Sequence, residues 1–164
     1  MNDFLHRNDR PEASPKSSLK RSGRVLVRDT NSLSLIALAG VLDAAGWECV
    51  CARGNDAVWK ALDAECFDLL VYDADDDATA AIEVVAAIRQ RPSDAALPVV
   101  LIAGPQWAGM EQKTESDSAV QCLFKPIDPS ALLAVVNQSL WMPHMVASQR
   151  RRGDRPNRAG WLTL

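Results

Sequence analysis

Apolar residues recur along this chain in short, nearly unbroken runs, separated by longer stretches in which they return every three or four positions. The runs are RVLVRD (24–29), WECVCA (47–52), FDLLVYD (67–73), LPVVLIA (97–103) and AVQCLF (119–124). Their length and richness in Val, Leu and Ile predict strands, and the continuous hydrophobicity of 67–73 and 97–103 suits strands covered on both faces. The stretches between them predict helices. The first, 32–46, opens after Asn31 as a cap and stops at Gly46; the second, 56–66, is capped by Asn55 and gathers Ala57, Val58, Ala61 and Leu62 on one face. A third covers 79–91 and ends around Pro92, while 104–118 is a weaker helix interrupted by Gly104, Pro105 and Gly109. The last, 129–140, has Asp128 as its cap and Pro129 at its first position.

Five strand–helix units joined by short connections predict an α/β fold: a doubly wound five-stranded parallel sheet with helices on both faces. In such sheets chemistry gathers beyond the carboxyl ends of the strands, where the strand order reverses. The residues closing the strands are Asp29, Asp73, Ala103 and Lys125. Two carboxylates and an ammonium converging there make an acidic pocket with its own cation. That chemistry suits a hard divalent cation with oxygen ligands, magnesium foremost, and an aspartate that accepts a phosphoryl group. The lysine would stabilise the transferred charge.

From Arg24 to about Asn137 the chain resembles the receiver domain of two-component response regulators. VLVRDTN (25–31) resembles that family's first strand and acidic pair, DLLVYD (68–73) its strand ending in the phospho-acceptor, and LFKPID (123–128) its lysine–proline signature. Thirty residues separate Asp73 from Ala103 and twenty-two separate Ala103 from Lys125, which fits the family's spacing. The resemblance implies a flavodoxin-like receiver with strand order 2-1-3-4-5 and an aspartyl phosphate at Asp73. It implies magnesium held by Asp29, Asp73 and the backbone carbonyl of Asp75, phosphoryl stabilisation by Lys125, and a cis Lys125–Pro126 bond. A histidine kinase or histidine phosphotransfer protein would supply the phosphoryl group, and a downstream protein partner would receive the signal.

The chain also departs from that pattern. Thr30 stands where the family has its second acid, so the metal site loses a charge and magnesium should bind weakly. Ala103 replaces the Ser or Thr that senses the phosphoryl group, and Cys122 replaces the aromatic rotor. Asp76 and Asp77 replace the usual Met–Pro. The acidic loop of Asp75, Asp76 and Asp77 reads as solvated, with the alternative that one of the three replaces the carboxylate missing at position 30.

Charge is unevenly spread. The net charge of −3 divides into +2 on residues 1–22, +4 on 148–164 and −9 between them, where eight basic residues face seventeen acidic ones. An acidic globule does not suit a nucleic-acid reader. The expected organisation is a disordered segment over 1–22, a receiver domain over 23–140 and a basic tail over 141–164, in which Pro143 and Pro156 should interrupt any helix. His6 and His144 fall outside that domain, which leaves a zinc site little support, and Cys49, Cys51, Cys66 and Cys122 read as buried small hydrophobes. Trp47, Trp59 and Trp107 read as packing residues. No apolar run is long enough to span a membrane, and the first residues do not read as a secretory signal, so the expected location is cytoplasmic.

Three functions compete. The first is a phosphorylatable receiver acting through protein contacts, without a DNA-binding domain. The second is a degenerate receiver that no longer cycles phosphate and serves as a docking module, as the changes at Thr30, Ala103 and Cys122 suggest. The third, an enzyme, rests on Asp73-Ala74-Asp75 matching the Asp-x-Asp of haloacid-dehalogenase-type phosphatases. There the motif ends the first strand, whereas here it ends the third, so a non-enzymatic role is expected. The oligomeric state is not legible in the sequence.

Overall fold

A computed structural model describes residues 23–153, with side chains described as far as residue 141. The segments 1–22 and 154–164, and the side chains of 142–153, lie outside the described residues, and with them the expected disorder of the first segment and the interruption at Pro156. The elements follow the order β1 (Arg24–Arg28), α1 (Ser32–Ala44), β2 (Glu48–Ala52), α2 (Asn55–Ala64), β3 (Leu69–Asp73), α3 (Ala78–Arg89), β4 (Val99–Ala103), a 3₁₀ turn (Pro105–Trp107), α4 (Glu111–Thr114), β5 (Val120–Phe124) and α5 (Pro129–Gly153). All strand pairs are parallel and the order is β2-β1-β3-β4-β5, as the resemblance implied.

Alternation along each strand sends side chains to two separate cores. Leu26, Leu70 and Leu101 pack on one face with residues of α2 and α3, while Val25, Val27, Val71, Val100 and Ile102 meet α1 and α5 on the other. Every residue of β3 and β4 is buried, which is why those two strands read as unbroken apolar runs. A fully buried Leu or Val contributes about 1.5–3 kcal/mol relative to exposure, so the two cores tie each helix layer to the sheet.

Helix starts follow from their caps. The Asn31 side chain accepts hydrogen bonds from the backbone N–H groups of Leu33 and Ser34, and Asp128 accepts from Ser130 and Ala131, as expected. Asn55 does not cap α2. Gly54 takes that position at φ 91°, and Asn55 instead accepts a hydrogen bond from the Tyr72 hydroxyl at 2.6 Å. The predicted helix over 104–118 shrinks to the 3₁₀ turn and the single turn of α4, because Gly109 sits at positive φ between them. The last helix does not stop at 140 but runs through Pro143 to Gly153; proline weakens a helix by removing one donor without forbidding it. Contrary to expectation, two of the four cysteines are not buried. Cys51 lies on the edge strand β2 and Cys66 follows α2, and both are exposed, while Cys49 and Cys122 are half-buried. The three tryptophans pack against the cores, as expected.

Candidate functional site

β1 and β3 lie side by side at the centre of the sheet, and β1 connects outward to β2 while β3 connects outward to β4. The strand order therefore reverses between them, and their carboxyl ends open a cleft. Asp73 closes β3 and is 0 % exposed. Its Oδ1 accepts a hydrogen bond from the backbone N–H of Asp75 at 2.8 Å and one from Lys125 Nζ at 3.0 Å. Lys125 Nζ is also 2.8 Å from Asp73 Oδ2, but that contact lacks hydrogen-bond alignment and is electrostatic. Lys125 is placed by β5 and by its own N–H, which donates to the Ala103 carbonyl at 2.8 Å. The Lys125–Pro126 bond is cis.

Asp29, just past β1, is 1 % exposed. Its Oδ1 accepts from the Asn31 N–H at 2.7 Å, while Oδ2 has no partner. A buried carboxylate oxygen left unpaired is costly, so this atom marks a place for a cation. Asp75 completes the group: one carboxylate oxygen from each of Asp29, Asp73 and Asp75 lies within 4.8 Å of the others. Such a set of hard oxygen donors fits magnesium. Burial pushes the Asp73 carboxyl above its ordinary range and the neighbouring charge of Asp29 adds to this, against the opposing pull of Lys125 and the Asp75 N–H. For Lys125 burial works against the charged form, but the hydrogen bond to Asp73 and the negative charges around it win, and its pKa is raised.

The family model of the response regulator receiver domain matches residues 25–137. The chain belongs to this family. Among solved structures, the receiver is similar to the chemotaxis protein CheY4 of Vibrio cholerae, with 23 % identity, TM-score 0.63, and coverage of 73 % of this chain and 99 % of that one. It is also similar to a response regulator receiver domain protein from Clostridium thermocellum, with 17 % identity, TM-score 0.67, and coverage of 76 % and 98 %. A structure described as an adenylate cyclase from Rhodopirellula baltica aligns at 17 % identity and TM-score 0.68, over 82 % of this chain and 99 % of that one. At these identities the likenesses speak for the fold alone. No curated protein matches.

Asp29, Asp73, Asp75 and Lys125, the site residues expected from the sequence, lie together at this one sheet edge. Thr30 does not stand idle in place of the second acid, since its hydroxyl donates to Asp75 Oδ1 at 2.7 Å. Asp77 is no free loop residue either: its side chain caps α3 by accepting from the Ala80 N–H. Ala103 is fully buried and presents only a methyl group where a hydroxyl was expected to be missing. Cys122 makes a 3.6 Å contact with the Thr114 hydroxyl.

Sequence reasoning missed Arg28. It reads there as the polar end of a strand, yet it is 6 % exposed. Its guanidinium lies 4.6 Å over the Tyr72 ring, with which it is in register across β1 and β3. Nη1 donates to the backbone carbonyl of Asp73 and, at 2.6 Å, to Asp75 Oδ2. The available clue was periodicity: position 28 shares a sheet face with Leu26, so a charge there must be buried and paired.

Proposed function

We propose that this receiver takes a phosphoryl group onto Asp73 from a histidine kinase or a histidine phosphotransfer protein and transmits the signal through protein contacts. The observation that carries this reading is the buried Asp73 carboxylate, held by Lys125 on one side and facing the unpaired Asp29 oxygen on the other. A carboxylate oxygen of Asp73 attacks phosphorus, and the phosphorus–nitrogen bond of the donor's phosphohistidine breaks. The electron pair stays on the imidazole, which takes a proton from solvent. Lys125 holds a phosphoryl oxygen as charge shifts toward it. Asp29, Asp73 and Asp75, the last through its backbone carbonyl or its carboxylate, would hold magnesium, which supplies charge neutralisation to the phosphoryl group.

A protein donor is favoured by the surface around the acceptor. A groove of about 290 Å³ runs between α1 and the start of α5, with Asp73 and Lys125 at its polar end and Leu38, Val41, Ile127 and Leu132 along its walls. Elsewhere on α1, outside the groove lining, Leu33 and Ile36 are exposed at 81 % and 67 %. Apolar walls beside the acceptor and exposed apolar side chains on the same helix suit a protein surface better than a small solute. No helix among the described residues is long and apolar enough to cross a membrane, which accords with a cytoplasmic receiver. The second reading, a docking module that does not cycle phosphate, draws support from the Ala103 methyl and from Cys122, which leave a phosphoryl group few atoms to rearrange.

Beryllium fluoride with magnesium tests the first reading. Amide signals of Asp73, Asp75 and Ala103 should shift in the wild type and stay in place in Asp73→Asn. Unshifted wild-type signals at millimolar magnesium would leave the docking module.

A further inference from the structure

We propose that Arg28 is a resident counter-ion that competes with the divalent cation for Asp75 and thereby sets the metal affinity of this receiver low. The proposal rests on the magnesium reading of the acidic cluster and adds a residue that no metal-ligand pattern contains. A guanidinium cannot lose its charge inside a protein, so its burial demands partners. Arg28 finds three: the Asp73 carbonyl, Asp75 Oδ2 at 2.6 Å and the Tyr72 ring. Its Nε remains without one.

The consequence falls on Asp75. One of its carboxylate oxygens accepts from Arg28 and the other from the Thr30 hydroxyl at 2.7 Å, so both are engaged. Its backbone is fixed at φ 50°, a left-handed conformation uncommon outside glycine, asparagine and aspartate. The residue that could replace the carboxylate missing at position 30 is thus already neutralised from within. Three carboxylates against Arg28 and Lys125 leave the site at −1; without Arg28 it stands at −2. A dication entering must either share Asp75 with a guanidinium at close range or displace it, and each weakens binding. The opposing view makes Arg28 a structural pin that preorganises the Asp75 loop, in which case losing it would weaken metal binding.

The two views differ in sign, so magnesium titration of the full chain by calorimetry separates them. The amide shifts of Asp29, Asp73 and Asp75 serve as a second readout. Arg28→Met should bind magnesium about tenfold or more tightly than wild type, and Arg28→Lys, which keeps the charge, should stay within about threefold of it. Arg28→Gln offers neutral hydrogen bonding and should also tighten binding, which keeps the test open should the methionine variant fail to fold. Tightening in either neutral variant supports the proposal, including the case in which wild-type binding is too weak to detect. Measurable wild-type binding that is unchanged or weakened in both neutral variants overturns the counter-ion role alone. No binding by wild type or by any variant overturns it together with the magnesium reading.

Discussion

Replacing Asp73 by asparagine should make the metal-free protein more stable at neutral pH. The side chain keeps its shape, and its carbonyl oxygen can still accept from the Asp75 N–H, which reaches Asp73 at 2.8 Å. What disappears is a buried negative charge whose environment opposes ionisation, since burial and the Asp29 carboxylate outweigh Lys125 and the Asp75 N–H. The new amide N–H can donate toward Asp29, one of whose carboxylate oxygens lies within 4.8 Å of one of Asp73. Lys125 loses its partner but is 40 % exposed at its side chain and can hydrate. Relieving a buried charge that its partners compensate only in part, less that exposed half-bridge, stabilises by about 1–2 kcal/mol. For a domain of this size that is a rise in Tm of roughly 4–8 °C. Because the folded carboxyl titrates above its ordinary 3.8, the wild-type penalty is full above the folded pKa and fades as pH falls through it toward 3.8. The gain from the substitution should therefore shrink with acidification. Thermal and urea unfolding in chelator, followed by circular dichroism from neutral pH down to about 4, measures both. An asparagine variant less stable than wild type at neutral pH, or a gain indifferent to pH, would show that the buried Asp73 charge carries no such penalty.

Three further outcomes can be checked independently. Asn31→Ala removes the two capping bonds at the start of α1 and should lower unfolding stability by about 1 kcal/mol, read from the urea midpoint, without changing the far-UV spectrum. Lys125→Met removes the one ammonium paired with Asp73 among the described residues; phosphorylation by a small donor should slow by about 10²–10³-fold in stopped-flow fluorescence, and an unchanged rate would exclude its role in charge stabilisation. The Cys49 thiol is pushed up to about 12 by burial and by the Asp43 carboxylate, so it is neutral at pH 8 and gains thiolate only as pH approaches that value. Mass mapping after iodoacetamide at pH 8 should find exposed Cys66 labelled well before Cys49.

The sheet was legible because β3 and β4 are buried on both faces and hold no charged residue before Asp73 at the very end of β3, so nothing blurs their apolar runs. The sequence could not show which side chains occupy the space between strand ends. Arg28 looked like a strand terminus because a charge next to Asp29 is ordinary on a surface; its place on the Leu26 face of the sheet, in register with Tyr72, turns it inward. For Asp75 the resemblance implied a role only for the backbone carbonyl; that its carboxylate is shared by Thr30 and Arg28 was not legible, since its left-handed φ decides where the side chain goes. The exposure of Cys51 follows from β2 standing at the sheet edge, which depends on strand order and not on the local run. The fourth helix is broken at Gly109, one of the interruptions the sequence already carries; its reduction to a single turn was not legible.

Phosphorylation itself is the most direct measurement. Incubating the full chain with magnesium and acetyl phosphate, then taking the intact mass in acid and mapping the peptide, should find a single phosphoryl group, hydroxylamine-labile and located at Asp73. The Asp73→Asn variant should carry none. A wild-type chain that stays unmodified, or a phosphoryl group that persists in the variant, would contradict the assignment of Asp73 as the acceptor.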